Sequence, residues 1–273
     1  MKPRSIVFDL FGDHIRYSGG RARLQALTEL MEVFGVLEST TRVVLSRMRR
    51  EGWFDTSREG RQTVYELTPR AWAMLDRGRA RIFDRAHDGW DGNWRMVIYT
   101  VPDENRAERD ELRKTLQWHG FGPLAAATWV SPHPRLDIVA EELKDLSAAR
   151  LELLTCQTSG SDADRRMAER CWDLATINAE YVRLLDQLQQ EMNVARLKKM
   201  SGRDALRARI ELVHSYRKLP FLDPDLPSQL LPKGWKGRRA HAHFTRAHDA
   251  LEPRATEYVN QVVLDPALSE RSA

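Results

Sequence analysis

The chain has 273 residues, 42% hydrophobic and 30% charged, with a formal net charge of +4. That length holds two or three small domains of ordinary globular composition, and a mildly basic balance permits nucleic acid as a partner without requiring it. No run of about 18 apolar residues occurs and charge returns soon after the start, so neither a membrane span nor a signal peptide is expected.

Apolar positions Ile6, Val7, Leu10, Phe11 and Ile15 predict a first helix over Pro3–Tyr17, broken by Gly19-Gly20. A second runs from Arg23 to Phe34 and stops at Gly35. Ser39 or Glu38 opens a third that reaches about Glu51 and ends at Gly52. Trp53-Phe54 and Thr63–Leu67 read as two short strands, with Glu59-Gly60 at their turn. Thr68-Pro69 starts an arginine-rich connecting helix to about Asp84, because proline suits the first helical position. His87–Asn93 marks a boundary.

Beyond it, strands are expected at Trp94–Val101, Ala125–Ser131 and Arg150–Cys156, with helices at Asn105–His119 and Leu136–Leu146 between them. That alternation points to a small ferredoxin-like α+β layer. A loop at Ser159–Asp162 leads into helices at Asn178–Met192, Asp204–Arg217 and Arg239–Val263, the last interrupted at Pro253. Lys218–Lys236 reads as an ordered loop. Cys156 and Cys171 lack metal-type spacing and are expected as buried thiols of a reduced, cytoplasmic protein.

The third helix and the hairpin after it have the layout of a winged helix-turn-helix. Val44, Leu45 and Met48 face inward, leaving Arg42, Ser46, Arg47, Arg49 and Arg50 outside or at the edges. The planar fork of arginine can pair with the guanine edge or clamp phosphate, and serine can reach either. Arg58, Arg61 and Gln62 at the hairpin tip would meet the backbone or minor groove. The alternative is a solvated basic face, which the adjoining hairpin makes the weaker reading.

A second constellation is aromatic and cationic: His214, Tyr216, Arg217, Trp235, Lys236, Arg238 and Arg239. It suits an anionic ligand with a flat portion, or else a packed helix end with capping cations. His241, His243 and His248 do not share one helix face, so solvated or core histidines are expected. Asp103, at a strand end, is a single carboxylate and reads as a helix N-cap before it reads as a metal ligand. No nucleophile elbow, phosphate loop or zinc-protease motif occurs.

Nearly the whole chain resembles the PaaX family of phenylacetic acid degradation repressors. The resemblance is carried by Phe-Gly-Asp-His-Ile-Arg at Phe11–Arg16, Thr41-Arg42, Leu45-Ser46-Arg47, Glu51-Gly52-Trp53, Gly60-Arg61 and Tyr65-Glu66-Leu67-Thr68. It continues through Trp94–Val101, His214-Ser215-Tyr216-Arg217, Asp223-Pro224-Asp225-Leu226-Pro227, Leu230-Leu231-Pro232 and Trp235-Lys236-Gly237. It implies an α+β chain: a winged helix-turn-helix over 1–70, a linker helix over 71–92 and a Cas2-like ferredoxin domain over 93–160. A helical effector and dimerisation domain over 161–264 and a tail over 265–273 would follow.

The function so implied is a homodimeric transcriptional repressor on a palindromic operator, with no resident cofactor, released by an acyl-CoA of which phenylacetyl-CoA is the type. His214, Tyr216, Arg217 and Trp235 would hold that effector, with Lys236 and Arg239 on its phosphates. Two other classes stay open. One is an enzyme, foremost a metal-dependent nuclease on the Cas2-like domain, although paired carboxylates are wanting. The other is a protein-contact module built on the winged helix.

Overall fold

The computed structural model describes residues 1–84, 89–191 and 197–264. The expected tail, part of the expected boundary after the linker helix, and Met192 lie outside the described residues. By its internal packing the chain forms two compact units, one of Met1–Asp84, Arg183–Lys218 and Arg239–Ala273, the other of Arg85–Val182 and Leu219–Arg238.

The first unit begins with α1 (Pro3–Asp13), a 3-10 turn (Ile15–Ser18), β1 (Arg21–Arg23), α2 (Leu24–Glu32), α3 (Glu38–Arg50), β2 (Phe54–Glu59), β3 (Gln62–Leu67) and α4 (Pro69–Phe83). Leu10, Phe11, Leu30, Met31, Leu45, Met48 and Phe54 are buried together, so each helix contributes the apolar stripe that its sequence spacing marked. Gly52 takes a left-handed φ of 77° after α3, which lets the chain reverse into β2. The Thr68 hydroxyl caps α4, accepting from the Ala71 amide at 3.2 Å and donating to the Gly52 carbonyl at 2.8 Å.

The three strands pair antiparallel in the order β1-β3-β2. β1 corrects the reading in which the second helix starts at Arg23: Arg21–Arg23 extends along β3 before α2 turns inward. The first helix ends at Asp13 and tightens into the 3-10 turn, where the long helix to Tyr17 was expected. Gly19 caps that turn with φ 87°, and at Gly20, with φ 69°, a side chain would run into the Trp72 ring at 2.3 Å.

The second unit carries β4 (Trp94–Thr100), α5 (Arg106–Trp118), β5 (Gly122–Ala125), β6 (Thr128–Ser131), α6 (Leu136–Leu143), β7 (Arg150–Cys156) and α7 (Ser161–Cys171). The strand expected at Ala125–Ser131 corresponds to β6 and the turn before it, and β5 is an additional strand that was not expected, so the order is strand-helix-strand-strand-helix-strand. All neighbours are antiparallel, in the order β5-β6-β4-β7. Val97, Tyr99 and Trp129 face α5 and α6, while Trp94 and Val130 face α7 and the 226–231 segment. The alternation along β4 follows from the two-residue period of a strand. Asp164 holds the Trp94 indole N–H at 2.8 Å beneath the sheet. Cys171 is buried, but Cys156 is only half-buried; both are free thiols.

Among the described residues, the helices α8 (Leu174–Glu191), α9 (Gly202–Tyr216) and α11 (Gly237–Leu264) follow, with a short α10 (Lys218–Leu222) and a 3-10 turn (Ser228–Leu230) inside the stretch expected as loop. α11 continues through Pro253, where an interruption was expected. The proline cannot donate to the carbonyl of Asp249, four residues earlier, and the helix runs on either side of that missing bond.

Candidate nucleic-acid interface and the charges behind it

α3 turns Thr41, Leu45 and Met48 into the core and leaves Arg42, Ser46, Arg47, Arg49 and Arg50 exposed. Val44 is half-buried. Two of the arginines hold glutamates one turn away: Arg42 with Glu38 at 2.6 Å and Arg47 with Glu51 at 3.0 Å. These are exposed pairs that water screens, so they hold the arginines loosely and phosphate can readily replace the glutamates. No ion pair joins Arg49 or Arg50 to a carboxylate among the described residues. The net result is a basic helix face that nothing in its own unit covers.

The hairpin tip presents Arg58 and Arg61, both exposed. The Arg58 guanidinium reaches the Arg61 carbonyl at 3.4 Å, which bends it over the turn. Gln62, expected at the tip with them, turns back instead: its amide donates to Gln25 of α2 at 3.1 Å. Two arginines that the sequence reading passed over flank this hairpin. Arg21 and Arg23 on β1 both pair with Glu59, Arg23 at 3.4 Å. Their signal was the alternation Arg-Ala-Arg, with Ala22 buried between two outward cations.

Behind the exposed arginines lies a second set of charges, which is buried. Asp13 on α1 is 5% exposed and Arg209 on α9 is 3% exposed, and they meet in a two-pronged pair of 2.6 and 3.1 Å. Arg209 also donates to the His248 carbonyl at 2.7 Å, and the His248 ring meets Asp13 at 2.9 Å. Burial pushes the Asp13 carboxyl up, but the His248 hydrogen bond and the surrounding positive charge pull it below the ordinary carboxylate range. One helical turn earlier, Asp9 receives Arg217 at 2.6 Å. There burial outweighs the arginine and raises the carboxyl to about 7. His14 is fully enclosed with neither ring nitrogen bonded among the described residues, and burial lowers it to about 4.

This arrangement explains the Phe11–Arg16 segment. Phe11 packs on Phe54, Asp13 anchors α9 and α11, and Arg16 pairs with Asp76 of α4. Gly12 brings α1 so near α4 that an added side-chain carbon would touch Leu75 at 3.2 Å.

The residues expected to hold an effector have varied surroundings. Tyr216 is fully buried, its ring stacked on Phe244 at 4.0 Å and its hydroxyl 3.0 Å from the His241 ring. Arg217 pairs with Asp9, and His214, lowered to about 4 by burial and by Arg217, sits 3.6 Å from the same carboxylate. Arg239 is exposed on the first turn of α11. Trp235 and Lys236 belong to the second unit, where Trp235 stands edge-on to Tyr181 and the Lys236 amide donates to Asn178 at 2.7 Å. Tyr181 in turn donates to the buried Asp223 at 2.7 Å, so the Asp223-Pro224-Asp225 segment serves this packing.

An open cleft of about 710 Å³ lies in the first unit, beside Arg42 and Gln62. Glu29, Glu32 and Glu38 line it, opposite Arg203 and Tyr258. Three carboxylates make it a poor seat for the phosphates of a CoA. In the second unit Asp103 is no helix cap: Asn105 precedes α5, and Asp103 lies exposed with Arg109 at 2.9 Å. No group of three or more His, Cys, Asp or Glu side chains that could hold a metal occurs among the described residues. No described helix is long and apolar enough to cross a membrane.

Comparison with known proteins matches this architecture along its length. Residues 2–71 match a family described as PaaX-like protein, residues 87–168 the PaaX protein central Cas2-like domain, and residues 172–261 the PaaX-like protein C-terminal domain. The transcriptional repressor PaaX of Escherichia coli (strain K12) is 28% identical over 263 residues, covering 94% of this chain and 83% of that one. The solved structure of uncharacterized protein Rv0674 from Mycobacterium tuberculosis superposes with a TM-score of 0.65 at 24% identity, over 95% of this chain and 99% of that one. With three consecutive matches and a Cas2-like middle sheet in place between them, the chain belongs to the PaaX family.

Proposed function

We propose that this chain is a transcriptional repressor that reads double-stranded DNA through residues 1–70, a winged helix-turn-helix in which α3 enters the major groove and β2–β3 is the wing. The observation that carries this reading is the exposed basic face of α3 beside an arginine-tipped hairpin. The E. coli relative, named as a transcriptional repressor, supports it. Two copies would sit on a palindromic operator with half-sites about 34–36 Å apart or a multiple of that. Arg42, Arg47, Arg49 and Arg50 would serve the groove and its phosphates, and Arg58 and Arg61 the backbone beside the wing.

Release would follow binding of an aryl- or acyl-CoA, with phenylacetyl-CoA as the first ligand to try. Arg239 offers it an exposed cation. Tyr216 would act through its packing on α11 and Arg217 through its pair with Asp9 of α1, because each is already engaged there.

The test is binding of the full chain to its own upstream DNA, followed by fluorescence anisotropy across salt concentration. Affinity should fall with a log–log slope of about −0.9 per phosphate contact. Replacing Arg49 and Arg50 together by alanine should flatten that slope by about 2 without changing the unfolding midpoint. A salt-independent interaction, or no binding to that DNA, overturns the reading. Addition of phenylacetyl-CoA should release the DNA; release by a different acyl-CoA alone would replace the aryl group and keep the rest.

A further inference from the structure

Leu37 and Val43 expose 72% and 68% of their surface, more than any other large hydrophobic side chain among the described residues. One caps the start of α3 and the other lies within it. Local folding does not ask for this. Valine is a poorer helix former than the arginines around it, because its branched carbon restricts the side chain against the preceding turn. Nor does packing use it: the buried stripe of α3 is Thr41, Leu45 and Met48.

Helical geometry shows where Val43 points. With about 100° of turn per residue, the centre of the buried stripe lies midway between Thr41, Leu45 and Met48. The line diametrically opposite is occupied by Ser39, Val43, Ser46 and Arg50, each within about 45° of it. Arg42 and Arg49 fall to one side of this line, Arg47 and Thr40 to the other. The outward ridge therefore carries Ser39, Val43 and Ser46, with Val43 its one apolar side chain and Arg50 a cation at its C-terminal end, and further cations flank it on both sides. In a major groove a base edge would meet the ridge, and the two phosphate walls would meet the flanks.

We propose that Val43 is a specificity residue that reads the C5-methyl group of a thymine. In the major groove that methyl is the one apolar feature a base pair offers, and an aliphatic side chain is its natural contact. The inference rests on the reading of α3 as the DNA-facing helix and deepens it by naming a base. The competing occupant of an exposed apolar pair, a protein surface, fits less well, because the arginines that flank the ridge would have to be covered with it.

The experiment selects the preferred duplex from a random pool with the full chain. Each thymine is then replaced singly by deoxyuridine, which keeps every hydrogen bond and removes only the methyl. The wild-type chain should lose roughly three- to tenfold affinity at one thymine in each half-site. Val43→Ala should bind the thymine duplex more weakly by a similar factor and should be indifferent to the deoxyuridine exchange. Because Val43 is exposed, this variant should keep the wild-type unfolding midpoint. The proposal is overturned if Val43→Ala retains full affinity, or if both chains pay the same deoxyuridine penalty. Failure of the chain to enrich any duplex is a separate result, which removes the DNA-reading helix and this proposal with it.

Discussion

Arginine serves two opposite purposes in this unit. On α3 it is exposed, bound loosely to glutamates of its own helix or to no described carboxylate, and arranged around an outward ridge. On α9 it is sunk between helices, where Arg209 has its whole guanidinium committed to Asp13 and the His248 carbonyl. The first set is available because water already solvates it, so a phosphate costs little to accept. The second set cannot be exchanged, since removing either partner strands a charge away from water. A count of cations along the sequence does not separate these roles; burial does.

The comparison breaks most sharply at Arg209. Arg209→Ala leaves the Asp13 carboxylate without its main partner and should cost about 3–5 kcal/mol of stability, read from urea unfolding. If the loss is under 1 kcal/mol, the buried pair is replaceable and the contrast with α3 dissolves.

The pH dependence sharpens it next. Asp9 is raised to about 7, so the folded chain holds a proton there that the unfolded chain releases near the ordinary carboxylate value; its contribution falls as pH rises from about 4 to 7. His14 is lowered to about 4, so the unfolded chain takes the extra proton, and its contribution is lost as pH falls below the ordinary histidine value. The two slopes oppose one another over the same window. Asp9→Asn removes the first, and stability should then climb more steeply from pH 4 to 6.5, by up to about 1.4 kcal/mol per pH unit, in unfolding midpoints taken across pH. An unchanged slope would show that Asp9 is ionised through the whole range.

The smallest effect belongs to the exposed set. Arg42→Ala breaks the pair with Glu38 and should change stability by no more than about 0.5 kcal/mol. A larger loss in the same unfolding assay would mean that α3 is held by its arginines and not by Leu45 and Met48.

Much of this was legible in the sequence, and the misses have physical reasons. The apolar spacing of α3 and the glycine after it located the helix, because burial on one face imposes the period. The strand expected from Ala125 took in the turn before β6 and missed β5, because Ala125-Ala126-Ala127 turns without the glycine or proline that usually marks a reversal. Arg209 was passed over although it stands among Leu206, Ile210 and Val213, on the stripe that α9 buries. An arginine in that register asks for a buried acid, and Asp13, buried at the end of α1, answers it. Tyr216 looked like a ligand contact because aromatic and basic residues crowd it in sequence, yet its position one turn after Val213 places it in the core. The bond from Gln62 to Gln25 was not legible for a simpler reason: residue type cannot say which way a hairpin side chain folds.

The Asp13–Arg209 pair also bears on the time order of synthesis. The partners are 196 positions apart, and the His248 contact closes over 235. At about 5–20 residues per second, α1 leaves the ribosome some 10–40 s before Arg209 exists to neutralise its carboxylate. The nascent chain therefore has α1 long before it has the clamp that closes on it, and the last helices made are the ones that finish the first.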